Sequence, residues 1–254
     1  MSAYGGDWTA SLHTKEGSRF RLICFPHAGG SAGAFFPLSA AAPASVEVVA
    51  VQYPGRQWRR SEPALTDIHE LARGVADAVL TMNDLPTAFL GTSMGALVAF
   101  ETVRLVEAEQ PEKVAHLFAS ASGAPSFPRA EARRQRWSEA ELIGELRRLG
   151  GTGELLLADE EALRMHLPAL RNDYRALASY SCGPQVTTGV PIAVLVGRDD
   201  PTTNKDAAGR WRSHTRSNFS VQEFPGGHFF VTEHPQKVLE TVVGHLDPIA
   251  LHQG

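Results

Sequence analysis

The chain has 254 residues, 43 % of them hydrophobic and 20 % charged, with a formal net charge of −4. This composition describes an ordinary globular protein, long enough for one large α/β domain with a full core or for two small domains. The acidic balance excludes a general pull toward nucleic acid or anionic membranes, and no apolar run approaches a membrane span.

The first residues, Met1 to Gly17, are polar and carry no apolar stretch behind a basic start, so no secretory signal is expected and the cytoplasm is the expected compartment. Phe20 to Phe25 reads as a strand, with Cys24 as a buried thiol inside it. It runs into the glycine-rich loop Pro26-His27-Ala28-Gly29-Gly30-Ser31-Ala32-Gly33. That loop lacks the Lys-Ser/Thr ending of a phosphate loop and does not fit G-x-G-x-x-G, so nucleotide binding is not expected. Val46 to Val51 is a second strand, ending in the turn Tyr53-Pro54-Gly55. Thr66 is the expected N-cap of the next helix, whose apolar face is Ile68, Leu71, Val75, Ala78 and Val79.

A short apolar strand, Ala88-Phe89-Leu90, then leads into Gly91-Thr92-Ser93-Met94-Gly95, and a helix starts at once with Ala96 to Phe100. The pattern G-x-S-x-G between strand and helix predicts a nucleophile elbow. There the two elements approach so closely that a side chain at either glycine would clash. The serine hydroxyl is thereby pushed out at the carboxyl end of a sheet, with a helix N-terminus behind it. Val114 to Ala119 is a further strand.

The alternation of strand and helix stops between Ala124 and Pro184, a stretch rich in arginine, glutamate and leucine. Ser138 and Glu141 form a capping box that opens a helix with Leu142, Ile143, Leu146 and Leu149 on one side. Gly150, Gly151 and Gly153 break it, and later helical runs carry Leu155, Leu156, Leu157, Leu163, Leu167, Leu170, Tyr174 and Leu177. Strand character returns at Pro191 to Gly197 and at Asn218 to Phe224. A final helix follows, using Val238, Leu239, Val242, Val243 and Leu246. This order predicts an α/β fold with a mostly parallel central sheet and helices on both faces. Residues 1–254 read as a single domain, and 124–184 as a helical lid inserted in it over the serine, mobile about its glycines, with Leu156 or Leu167 as candidates to line the pocket beneath.

A serine needs a base, and the base an orienting acid. In the α/β-hydrolase order the acid follows a later strand and the histidine follows the last. The strand Ile192 to Val196 ends in Gly197-Arg198-Asp199-Asp200-Pro201. The spacing G-x-x-D selects Asp200, leaving Asp199 as the alternative or as a turn residue bonding its own backbone. Of ten histidines, His228 alone sits in the expected loop, Gly226-Gly227-His228-Phe229, while His234 before Pro235 reads as part of a helix start. The backbone N–H groups of Ala28 and Met94 are the expected oxyanion-hole donors. Neither the two cysteines, Cys24 and Cys182, nor any H-E-x-x-H run has metal-ligand spacing, so no metal or cofactor is expected.

The segments Phe25 to Gly30, Gln52-Tyr53-Pro54-Gly55-Arg56, Gly91 to Ala96 and Gly226-Gly227-His228 together resemble type II thioesterases of polyketide and nonribosomal peptide assembly lines. The similarity runs from about Arg19 to Leu246, and the Gln-Tyr-Pro-Gly-Arg run is its most specific part. The resemblance implies hydrolysis of stalled or misloaded acyl groups on the phosphopantetheine arm of an acyl or peptidyl carrier protein. It departs at Thr92, where the family commonly has histidine. A carboxylesterase or lipase, an acyltransferase, and a silent hydrolase fold used as a binding module are the alternatives. Carrier proteins are typically acidic, so Arg56, Arg59, Arg60, Arg129, Arg133, Arg134 and Arg136 are candidates to steer docking.

Overall fold

A computed structural model describes residues 6–127, 137–150 and 160–250. Seven strands form one sheet: β1 (Thr9–Ser11), β2 (Phe20–Phe25), β3 (Val46–Val51), β4 (Thr87–Thr92), β5 (Val114–Ser120), β6 (Ile192–Gly197) and β7 (Phe219–Phe224). Their spatial order is β1-β3-β2-β4-β5-β6-β7. Every pairing is parallel except that of β1 with β3. The helices are α1 (Phe36–Ala41), α2 (Ile68–Leu80), α3 (Met94–Glu109), α4 (Glu139–Leu149), α5 (Glu160–Ser179), α6 (Lys205–Gly209), α7 (Phe230–Glu233) and α8 (Pro235–Ala250).

The inner strands β2, β4 and β6 read as near-continuous apolar runs because both faces of the sheet are covered there, whereas the edge strand β7 is mostly exposed. Side chains alternate between faces along a strand. Thus Ile23 and Phe25 of β2 pack with Leu71 and Val75 of α2 and Leu97 and Phe100 of α3. Phe20, Leu22 and Cys24 point the other way, into a core with Leu38 of α1 and Val238, Val242 and Leu246 of α8. Burial pushes the Cys24 thiol pKa upward, which keeps it protonated and inert.

Local signals set several helix ends. Ser138 and Glu141 make the expected capping box at the start of α4, and Gly150 closes that helix with φ +70°. One cap differs: the side chain of Asp67, not Thr66, accepts the N–H groups of His69 and Glu70 at the start of α2. Both residue types suit the position, and the carboxylate also meets the positive end of the helix. β1 is a three-residue edge strand in the segment that reads as polar and irregular, and its pairing with β3 is what orders it.

His116 of β5 is buried on the α8 face, stacked on Phe118 and edge-on to His245. Burial and the neighbouring His245 lower its pKa from 6.5 to about 3. An unfolded chain therefore takes up a proton here as pH falls below 6.5 while the folded chain does not, so this contribution to stability is lost on acidification. The slope of unfolding free energy between pH 6 and 4 is expected to fall by up to about 1.4 kcal/mol per pH unit in His116→Leu. Urea melts of both proteins across that range measure it, and parallel slopes would contradict it.

The strand order reverses between β2 and β4, which lie side by side, with Phe25 opposite Gly91. In such sheets the crevice at the carboxyl ends of the reversing strands is where ligands bind. The loop Pro26–Gly33 and the turn at Ser93 leave from that edge.

Candidate active site

Ser93 sits between β4 and α3 with φ 55° and ψ −117°, a backbone state costing a non-glycine residue about 1–3 kcal/mol. Its N–H donates to the Ser120 carbonyl of the adjacent strand at 2.8 Å, which holds the turn. A Cβ on Gly91 would lie 2.4 Å from Ala96 Cα, and one on Gly95 would lie 2.1 Å from the Phe25 carbonyl oxygen. Both glycines are therefore required by close approach, as the G-x-S-x-G pattern predicts.

The acid and the histidine come from the next pair of strands. Gly197 ends β6, and a Cβ there would lie 2.2 Å from the Gly227 carbonyl oxygen, so the two loops pack backbone to backbone. Asp199 donates its N–H to Gly226 and turns its side chain to solvent. The Asp200 carboxylate is buried and lies 3.0 and 3.1 Å from His228 Nδ1 through its two oxygens. Burial would raise the Asp200 pKa. The hydrogen bond and charge of His228, with two bonds from Thr202, outweigh it and hold the carboxyl below its ordinary value. An ionised Asp200 can thus orient the imidazole and stabilise its protonated form.

Thr202 has no part in the sequence-based site, yet its N–H and Oγ1 both donate to Asp200 Oδ1, at 2.8 and 2.7 Å. Its Oγ1 is also 3.0 Å from His228 Nδ1. The Asp-x-Thr spacing is the signal that could have found it, since Asp commonly bonds the backbone two residues on. The turn role expected of Asp199 is filled by Asp200 itself.

Ser93 and His228 border one cavity of about 510 Å³, together with Ala28 and Met94. Among the described residues the Ser93 hydroxyl makes no hydrogen bond, to His228 or to any other group. The remaining wall includes Phe127 and Trp137, Leu146 and Leu149 from α4, and Leu170, Tyr174 and Leu177 from α5. Leu167, by contrast, lines a separate surface cleft with Arg164 and Arg171, and Leu156 lies outside the described residues. His27, beside Ala28, has its pKa lowered to about 3 by burial and by the charges of His228 and Arg56, which keeps it neutral next to the cavity.

The arginines expected to steer docking divide. Arg56 is buried against Asp173, and Arg59 is buried and paired with the part-exposed Glu62, so both are structural. Arg60 is exposed, whereas Arg129, Arg133, Arg134 and Arg136 lie outside the described residues, as do Leu155, Leu157, Gly151 and Gly153.

A parallel sheet with a strained serine at its switch point and a buried Asp–His pair beside it has the architecture of an α/β-hydrolase. The family model described as a thioesterase domain matches residues 20–246, and the chain belongs to that family. It is 43 % identical, over 95 % of its length and 66 % of the relative's, to a probable cadicidin biosynthesis thioesterase of Streptomyces griseus. It is 39 % identical, over 97 % of its length and 88 % of the relative's, to thioesterase PikA5 of Streptomyces venezuelae. The structure superposes on the type II thioesterase BorB of the borrelidin biosynthetic cluster with a TM-score of 0.85 and 40 % identity, covering 94 % of this chain and 97 % of that one.

Proposed function

We propose that this protein is an editing thioesterase that removes acyl groups from the phosphopantetheine arm of carrier proteins in polyketide or nonribosomal peptide synthesis. The observation that carries the reading is the convergence of a strained Ser93 and the buried Asp200–His228 pair on one cavity with both apolar and polar walls. His228 takes the proton of Ser93, whose Oγ attacks the thioester carbonyl. The N–H groups of Ala28 and Met94 receive the developing oxyanion, and on its collapse the pantetheine sulfur takes the proton held by His228 and leaves as the thiol, which returns the imidazole to its neutral form. His228 then draws a proton from water, and the hydroxide equivalent attacks the acyl-serine, which releases the acid and restores Ser93. The missing Ser93–His228 bond is no obstacle, because such contacts often tighten only when substrate is bound. No cofactor enters this chemistry, and no described helix is long and apolar enough to cross a membrane. Cytoplasmic action, where carrier proteins are loaded, completes the reading.

Comparing turnover of an acyl-pantetheine thioester with its matched oxygen ester tests the class. The reading expects the thioester to be strongly preferred, and a preference for the oxygen ester would make the protein a carboxylesterase. A product other than the free acid would indicate an acyltransferase.

The same reading makes α4 and α5, within the insertion 124–184 of a single domain, a lid that shapes the acyl pocket. Leu146→Phe and Leu177→Phe are then expected to shift chain-length preference toward shorter acyl groups by roughly tenfold, the scale of one or two methylenes. Leu167→Ala should leave the preference unchanged, since Leu167 lies away from the cavity. A series of acyl-pantetheines measures this. Equal preference in all three variants would place the acyl chain elsewhere.

A further inference from the structure

Asp173 of α5 is fully buried and accepts from two separate parts of the chain. Arg56 donates to it in a fork, Nη1 to Oδ2 at 2.9 Å and Nη2 to Oδ1 at 2.8 Å. The N–H of Gly29, in the loop after β2, donates to Oδ2 at 2.6 Å. Helix and loop also touch directly: Gly29 has φ +75°, and a Cβ there would lie 3.1 Å from Leu170 Cδ1. Leu170 is one turn before Asp173 and borders the cavity.

The Gln52–Arg56 run holds the same loop from the other side. Gln52 Oε1 accepts the N–H of Ala32 at 3.1 Å, and Gln52 Nε2 donates to the Arg56 carbonyl at 3.3 Å. Arg56 Nη1 donates to the Gly30 carbonyl at 2.8 Å. The Gly30 N–H closes a turn on the His27 carbonyl at 2.9 Å. Backbone groups at residues 29, 30 and 32 are thus fixed by buried side chains, while the N–H of Ala28 has no acceptor among the described residues.

From this arrangement we infer that Asp173, braced by Arg56, is a positioning residue for the oxyanion hole: it anchors Gly29 and so aims the neighbouring Ala28 N–H at the cavity. This rests on the thioesterase reading above. A carboxylate suits the task because its two oxygens take three donors at once, Gly29 and Arg56 Nη1 on Oδ2 and Arg56 Nη2 on Oδ1, where an amide would present an NH2 group in place of one oxygen. It also makes the loop geometry depend on the seating of α5. A buried ion pair alone would be weak grounds for a functional role, since apolar replacements often stabilise as well. The Gly29 bond is what adds one.

Two double variants separate the roles, because both remove the ion pair but only one removes the acceptor for Gly29. In Arg56→Met/Asp173→Leu the Gly29 N–H loses its partner. In Arg56→Gln/Asp173→Asn the new amides can pair with each other and leave the Asn oxygen for Gly29. With an acyl-pantetheine substrate, kcat of the first is expected to fall about 30–100-fold with KM within about threefold, as loss of a well-placed oxyanion donor does. Affinity for a trifluoromethyl ketone analogue of the acyl group should fall by the same factor. The second variant should recover to within about fivefold of the unmodified protein. A folded first variant with kcat within about threefold of the unmodified protein, or equal losses in both, would overturn the inference. Should the first fail to fold, Arg56→Gln/Asp173→Ala decides, because it too removes the acceptor for Gly29: a kcat loss of at least about tenfold at unchanged KM supports the role, and near-normal kcat overturns it. An inactive unmodified protein would instead overturn the thioesterase reading.

Discussion

Replacing Ser93 by alanine is expected to leave the fold intact and to lower turnover on the order of 10⁵-fold or more, the scale seen when a triad nucleophile is removed. Ser93 contributes no side-chain hydrogen bond among the described residues, so its hydroxyl has no structural contact to lose. Its strained backbone belongs to the strand–helix turn and is held by the Ser120 carbonyl whichever side chain is present. Thermal melting should therefore be unchanged within a few degrees on the size scaling of about 2–4 °C per kcal/mol. Labelling by a serine-directed fluorophosphonate should disappear with the hydroxyl. Near-normal turnover of the folded variant would remove Ser93 from the chemistry, and failure of the unmodified protein to label would favour a silent hydrolase fold.

The second large effect is at the acid. Asp200→Asn is expected to cost about 10⁴ in kcat, because an amide can hold the imidazole in the wrong tautomer and cannot stabilise the imidazolium. Asp199→Asn should stay within about threefold, since an exposed side chain beside the site offers little to the transition state. The two aspartates are adjacent, but Asp199 points to solvent while Asp200 is buried against His228 and Thr202. Steady-state kinetics of the two purified variants measures the contrast. The reverse ranking would move the acid to Asp199.

What the sequence made legible was governed by short-range sterics. Gly91, Gly95 and Gly197 are each forced by a backbone atom within 2.4 Å of a would-be Cβ, so their pattern in the chain carries the geometry directly. The strands β2 to β6 stand out because a sheet covered on both faces needs largely apolar runs. What stayed hidden depends on partners far away in sequence. Arg56 reads as a surface charge until Asp173, 117 residues on, is seen to bury it. The apolar face of α5 gives no sign that Leu170 and Leu177 border the cavity while Leu167 packs away from it, because all three satisfy the same helical period. Thr66 and Asp67 are both good caps, and which is used depends on where the turn before α2 ends.

The central claim, action on carrier-bound acyl groups, is tested most directly by comparing kcat/KM on an acyl-carrier protein with that on the same acyl group attached to free pantetheine, at low and high salt. Exposed arginines such as Arg60, and Arg175 on α5, offer positive charge to an acidic partner, and such steering weakens as salt screens it. The account predicts a clear preference for the carrier-bound substrate that shrinks as salt rises. Equal efficiency on the two substrates, with equal salt dependence, would contradict it and leave a general thioesterase without carrier recognition.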